Sequence, residues 1–135
     1  MNIAIIPARG GSKRIPRKNI KLFCGKPMIA WPIEAALNSK CFEQVIVSTD
    51  DEEIASIAQN YGADVPFVRP KNLAEDHTGT NPVIAHAIEW LNSQGLNPDF
   101  ICCIYATAPF ICLSDIQAGL DLIIEKDCDY VFSVT

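Results

Sequence analysis

Apolar positions in this 135-residue chain fall into short runs separated by polar turns. Ile3, Ala4, Ile5 and Ile6 run without a polar break up to Pro7, which predicts a strand over 3–7 buried on both faces. "QVIVST" (44–49) repeats the pattern with β-branched side chains and predicts a second strand. Residues 65–68 predict a short third strand, "DFICCIY" (99–105) a fourth and "YVFSVT" (130–135) a last. Between these runs the apolar spacing turns helical. One helix is predicted to begin near Pro27, where proline is tolerated in the first turn, with Ile29, Ile33, Ala36 and Leu37 on one stripe. Asp50 with Glu53 resembles an N-cap and its capping-box partner, opening a helix that ends at Gly62. Two further helices are predicted over 81–93 and 114–126. Trp31, Trp90 and His86 fall within helical patterns and read as packing residues.

Strands alternating with helices imply parallel pairing and a three-layer α/β/α sandwich. Ligands of such sheets bind beyond the carboxyl ends of the strands. That rule brings three loops to one edge: the glycine-rich loop after the first strand, the 69–80 loop and the 105–110 loop. The chain stops inside a predicted strand, so 1–135 is expected to be a nucleotide-binding domain incomplete at its C-terminal end. Composition agrees with a packed core, at 49% hydrophobic and 20% charged residues, and excludes a disordered chain. No apolar stretch is long enough to span a bilayer and no secretory leader precedes the first strand, so a soluble, cytoplasmic protein is expected. The six cysteines (24, 41, 102, 103, 112 and 128) form no C-x-x-C pair. Buried free thiols in a reducing compartment fit them better than disulfides or a metal site.

Charge changes the picture more than composition does. Seven cations (Arg9, Lys13, Arg14, Arg17, Lys18, Lys21 and Lys26) precede the first acid, Glu34, in a protein of net charge -5. The rest of the chain carries four cations against sixteen acids. A general nucleic-acid binder is disfavoured by that acidic body. A focused basic loop suits a small polyanion such as a nucleoside triphosphate, with a merely solvated basic surface as the rival reading. The loop "ARGGSKRIPRKN" matches neither G-x-x-x-x-G-K-[ST] nor G-x-G-x-x-G. Its physics remains that of a phosphate loop: Gly10 and Gly11 are expected to aim backbone N–H groups at one point. Arg9 would add a bidentate contact, and Lys13 and Lys18 mobile charges.

"IIPARGGSKRIPRKNI", "GKPMI", "VSTDDEEIA", "VPFVRP" and "LAEDHTGT" together resemble the acylneuraminate cytidylyltransferases, which make CMP-sialic acids. The resemblance spans the chain in order. It implies a Rossmann-like nucleotide-diphospho-sugar transferase fold, CTP as substrate, and a nine-carbon acidic sugar as acceptor. It also implies nucleotide-binding roles for Ala8, Arg9, Gly10, Gly11, Ser12, Lys13, Asn19, Arg69 and Thr80, with Arg9 and Lys18 acting on the reacting phosphates. The family's Q-P-T-S-P is replaced by Tyr105, Ala106, Thr107, Ala108 and Pro109, and a small residue of its loop by Arg14. These departures are similar to the pseudaminic acid branch, with sialic or legionaminic acid as the alternative. Tyr105, Thr107 and His77 become the candidate sugar contacts; Tyr105 could instead cap the core, and His77 could be a polar loop residue.

The same resemblance implies Mg²⁺, with metal ligands beyond residue 135, and a homodimer for the full-length protein. No metal ligand is assigned within the chain: Asp127 and Asp129 form a D-x-D, but its place before the last strand puts it at the wrong edge of the sheet. Nucleic acid and membrane are not expected as partners. A nucleotide-binding module without catalysis is the rival of a different class.

Overall fold

The computed structural model describes residues 1–12 and 14–134. Lys13, a predicted phosphate contact, and Thr135 lie outside the described residues. Along the chain the elements are β1 (Asn2–Pro7), a hairpin of β2 (Leu22–Phe23) and β3 (Lys26–Pro27), α1 (Ala30–Ser39), β4 (Gln44–Ser48), α2 (Glu52–Asn60), α3 (Thr80–Ser93), β5 (Phe100–Cys103) and α4 (Leu113–Lys126).

β1 is the centre of a three-stranded parallel sheet of order β4-β1-β5. Its Ile5 lies opposite Ile46 on one side and Cys103 on the other. Successive side chains of a strand point to opposite faces, and here both faces are covered. Ala4 and Ile6 join Val45, Val47, Ile33, Ile54 and Ile116 in one cluster, which unites α1, α2 and α4. Ile3 and Ile5 join Ile46, Ala87 and Leu91 in the other, beneath α3. An unbroken apolar run is therefore what β1 requires, because each position faces a helix layer. Burying one such isoleucine contributes about 2 kcal/mol. The architecture is the mixed α/β sandwich that the alternation predicted.

Five expectations need correction. The helix begins at Ala30, not near Pro27, because Cys24 (φ 49°) and Gly25 (φ 86°) turn the chain into the β2–β3 hairpin first. Leu37 misses the buried stripe and is 41% exposed. Residues 65–68 form no strand; a single bridge joins Asp64 to Ile46, and Pro66 has no N–H with which to extend it. Residues 130–134 form no strand either, since no neighbouring strand offers a ladder among the described residues, and Tyr130, Phe132 and Val134 stand at 79–85% exposure. Nor are the cysteines fully buried: Cys41 and Cys102 are only partly so. All six are free thiols, four of them exposed (Cys24, Cys103, Cys112, Cys128).

Candidate active site

The carboxyl ends of β1, β4 and β5 face one edge, and the loops leaving them build the site. Ala8 is buried and donates its N–H to the Ser48 carbonyl at 2.9 Å, so the β1–β4 ladder continues one residue past β1. The glycine loop then folds onto the turn after β4. Gly10 donates its N–H to Asp50 Oδ1 at 2.9 Å. A Cβ on Gly10 would stand 2.7 Å from Asp51 Oδ2 and 2.9 Å from Asp51 Cβ, a closeness that only glycine permits. A Cβ on Gly11 would meet nothing within 4 Å. Neither residue has a positive φ. The expectation of two bare amides converging on a phosphate is corrected here for Gly10, whose donor already serves a carboxylate.

Asp50 is therefore not the helix cap that the sequence suggests. Asp51 caps α2, its Oδ1 accepting from the Ile54 N–H at 3.0 Å, and Glu53 turns to Arg17 instead of closing a capping box. Arg17 bonds Asp51 through both Nη atoms, at 2.5 and 2.9 Å, and Glu53 at 2.7 Å. This pairing with the Arg17 guanidinium is the main reason the Asp51 carboxyl is held down at about 2, with the Ile54 N–H adding to it. Arg17, counted by sequence among the cations aimed at a polyanion, instead faces the protein's own acids.

Arg9 donates through Nη1 to the Gly11 carbonyl at 2.6 Å and pairs with the Asp76 carboxylate of the 69–80 loop. Its own carbonyl accepts from Asn19 Nδ2 at 2.9 Å, and the buried Asn19 returns its carbonyl to the Ile29 N–H at the start of α1. Arg69 is the most buried cation of the site, at 4% exposure. Its Nη2 donates to the Ser48 carbonyl at 2.7 Å and its Nε to Ser48 Oγ at 3.2 Å. No carboxylate lies within ion-pair distance of it among the described residues. Burial pushes its pKa down, and the nearby charge of Asp50 pulls it back up.

These residues surround two adjoining clefts that share Arg9. The inner cleft, about 210 Å³, is lined by Arg9, Lys18, Asn19, Arg69, Thr80, Tyr105 and Thr107, together with Pro7, Thr78, Gly79, Val83 and Ala106. Seven residues named from sequence thus converge from three loops. Thr80 Oγ1 and the Tyr105 hydroxyl stand 3.4 Å apart across it, and Tyr105 is 60% exposed, which excludes its alternative place in the core. The outer groove, about 690 Å³, is lined by Arg9, Gly11, Ser12, Ala74, Glu75, Asp76 and His77. His77 projects into solvent with Nε2 3.1 Å from Glu75 Oε2, apart from Tyr105 and Thr107. Ala8 and Gly10 line neither cleft. His86, on α3, packs edge-on against Phe67, its Nδ1 buried without a hydrogen-bond partner among the described residues.

The donor set does not fit a resident divalent cation. Among the described residues no group of three or more His, Cys, Asp or Glu side chains could hold one. Of the acids nearby, Glu75 and Asp76 line the outer groove, where Asp76 pairs with Arg9, and Asp50 holds the Gly10 N–H. Asp127 closes α4 in the left-handed region, exposed to solvent. Sequence reasoning missed the part played by Asp50, Asp51 and Asp76; the one available signal was the acid pair of "STDD" directly after a strand's carboxyl end. No helix among the described residues is long and apolar enough to cross a membrane.

A pseudaminic acid cytidylyltransferase of Campylobacter jejuni is 49% identical over 134 residues, covering 99% of this chain and 58% of the relative. A CMP-N,N'-diacetyllegionaminic acid synthase of Legionella pneumophila is 45% identical over 111 residues, covering 80% of this chain and 47% of the relative. This chain therefore spans about half the length of these curated relatives. Among solved structures, a CMP:2-keto-3-deoxy-manno-octonic acid synthetase complexed with CTP superposes with a TM-score of 0.77 at 25% identity, over 94% of this chain and 48% of that one. A cytidylyltransferase from Leptospira borgpetersenii shares the fold, with a TM-score of 0.68 at 24% identity over 92% of this chain and 49% of that one. The family model described as cytidylyltransferase matches residues 3–135, and the chain belongs to that family.

Proposed function

We propose that this chain is the nucleotide-binding part of a CTP-dependent cytidylyltransferase whose acceptor is a nonulosonic acid, pseudaminic acid in first place. One observation carries the reading: Lys18, Asn19, Arg69, Thr80, Tyr105 and Thr107 line a single cleft at the carboxyl edge of a parallel sheet, beside a glycine loop. In the reaction the anomeric hydroxyl of the sugar attacks the α-phosphorus of CTP. The new O–P bond forms as the bond to pyrophosphate breaks, and the hydroxyl proton is released to solvent. Positioning and charge neutralisation supply most of the acceleration in such a transfer. Arg9, Lys13 and Lys18 neutralise the phosphates; Ser12, Asn19, Arg69 and Thr80 hold the nucleotide; Tyr105 and Thr107 meet the sugar, with His77 at the outer rim. The reading leaves magnesium ligands to residues outside this chain, places the protein in the cytoplasm and pairs the full-length form as a homodimer.

Identity to the legionaminic acid synthase supports that sugar as the alternative acceptor. Pyrophosphate release with CTP and a panel of pseudaminic, legionaminic and N-acetylneuraminic acids tests the choice, alongside calorimetry with CTP. Turnover highest with pseudaminic acid, and lost in Arg9→Ala with the fold retained, is the expected result. Far better turnover of N-acetylneuraminic acid overturns the branch assignment. CTP binding without turnover of any sugar establishes the non-catalytic module, and no CTP binding at all removes the function.

A further inference from the structure

Arg17 is a cation that the phosphate loop does not turn towards its cleft. Both of its Nη atoms contact Asp51, at 2.5 and 2.9 Å, and Nη2 also reaches Glu53 at 2.7 Å. Its backbone stands in the left-handed region, φ 56° and ψ 35°, a conformation that side chains bearing a Cβ disfavour and adopt only when their surroundings hold them there. The bidentate grip on the helix cap is what holds it. Guanidinium and carboxylate meet in the fork geometry that makes such pairs the strong ones even at partial exposure.

The position of Arg17 in the loop gives that grip its consequence. Its carbonyl accepts from the Ile20 N–H at 3.1 Å, so Arg17 opens the single 3-10 turn that carries Lys18 and Asn19. Lys18 and Asn19 line the inner cleft, and Asn19 Nδ2 holds the Arg9 carbonyl at 2.9 Å. At the other end of the loop, Asp50 holds the Gly10 N–H at 2.9 Å. Two neighbouring acids of the β4–α2 turn thus moor the loop at both ends, Asp50 near its start and Asp51 through Arg17 near its finish.

We propose that Arg17 is a positioning residue: by clamping onto Asp51 and Glu53 it sets where Lys18, Asn19 and Arg9 present themselves to a nucleotide's phosphates, without touching the nucleotide. Cytidine has no phosphates for Lys18, Asn19 and Arg9 to meet, and Arg69 and Thr80, which also line the cleft, stand on other elements that this clamp does not hold. The inference rests on the CTP reading for its effect on binding, and on the loop alone for its effect on order.

Both are measured on Arg17→Ala and Arg17→Lys. The dissociation constants of CTP and of cytidine are determined by calorimetry well below the melting temperature, and amide hydrogen exchange is followed over residues 10–20. In Arg17→Ala, CTP is expected to weaken about tenfold while cytidine changes by less than about twofold, and the loop amides exchange faster. Arg17→Lys keeps the charge but loses the fork, so it restores part of the CTP affinity. Equal weakening of CTP and cytidine, or unchanged loop exchange, overturns the proposal. If the wild-type chain binds no CTP, the functional reading falls and the exchange comparison alone decides whether the clamp orders the loop. If Arg17→Ala does not fold, the same CTP-to-cytidine ratio and loop exchange in Arg17→Lys decide the matter.

Discussion

Replacing Gly10 and Gly11 separately by alanine distinguishes two residues that look equivalent in the sequence. At Gly10 the new methyl group would lie 2.7 Å from Asp51 Oδ2, 3.1 Å from Asp51 Cγ and 2.9 Å from Asp51 Cβ. Side-chain rotation relieves the first two contacts but not the third, because Cβ is fixed to the backbone. Asp51 has to move, which sacrifices its cap on the Ile54 N–H, at about 1 kcal/mol. The overlap itself adds roughly 1–3 kcal/mol. Restricting the unfolded chain returns about 0.4–1 kcal/mol in both variants. Gly10→Ala is therefore expected to destabilise the fold by about 2 kcal/mol. Gly11→Ala, with open space around its Cβ and no positive φ, is expected to be neutral or stabilising by up to about 1 kcal/mol. Urea unfolding at unchanged m-value reads the difference directly. For a domain of this size it also separates the melting temperatures by roughly 6–12 °C. Two variants within about 0.5 kcal/mol of each other would show that the glycine loop does not lie against Asp51, and the clamp geometry would go with it.

The Asp51 carboxyl sits at about 2 in the fold against an ordinary 3.8, so its ion pair stabilises the fold fully above the ordinary value and loses its effect as pH falls towards about 2. The stability gap between wild type and Asp51→Asn should be flat at neutral pH and close across that acid window; a gap that persists at about pH 2 refutes the pairing. Burial pushes the Cys102 thiol up to about 11, so mass spectrometry after alkylation near pH 8 should find exposed Cys24, Cys112 and Cys128 modified before Cys102. Arg69→Lys keeps a charge but abandons the paired bonds to Ser48. It should weaken CTP binding by about tenfold while costing the fold only about 1–2 kcal/mol, and equal CTP affinity by calorimetry would remove Arg69 from the nucleotide site.

How far the sequence reveals the fold depends on how many helix layers each run faces. β1 and β4 are buried on both sides, so their apolar runs are unbroken and their limits come out within a residue. The β2–β3 hairpin has two-residue strands, too short for any periodicity, and only Gly25 at the second turn position hints at it. Residues 65–68 carry β-branched side chains, yet Pro66 withdraws a donor where the ladder would need it. Residues 130–134 are rich in aromatic and β-branched side chains, as a strand should be, but composition records what a segment could bury, not whether a neighbour is present to bury it. The helix cap slipped by one residue because Asp50 and Asp51 are chemically identical. What separates them is a loop forty residues earlier in the chain, which takes one as a partner for Gly10 and leaves the other for α2.

That the loops carrying Lys18, Asn19, Arg69, Thr80, Tyr105 and Thr107 converge was legible because the topology of a parallel sheet fixes which loops share an edge, whereas the choice of residues on them came largely from the family resemblance. The charge on those loops was not. Seven cations before Glu34 look like a field prepared for a polyanion, but a count of charges ignores direction. Arg17 faces Asp51 and Glu53, Arg9 faces Asp76, and Lys26 bonds Glu34 at 2.6 Å while lying over the Trp31 ring. Arg69, from outside that segment, is the cation that burial isolates, held by a hydroxyl and carbonyls with no carboxylate in ion-pair reach among the described residues. A guanidinium kept in that state carries a desolvation cost that neutral acceptors offset only in part, and an incoming anion would relieve it. The cation that distinguishes the cleft is therefore one that sequence charge density passes over, and the dense basic stretch serves in good part to hold its own loop in shape.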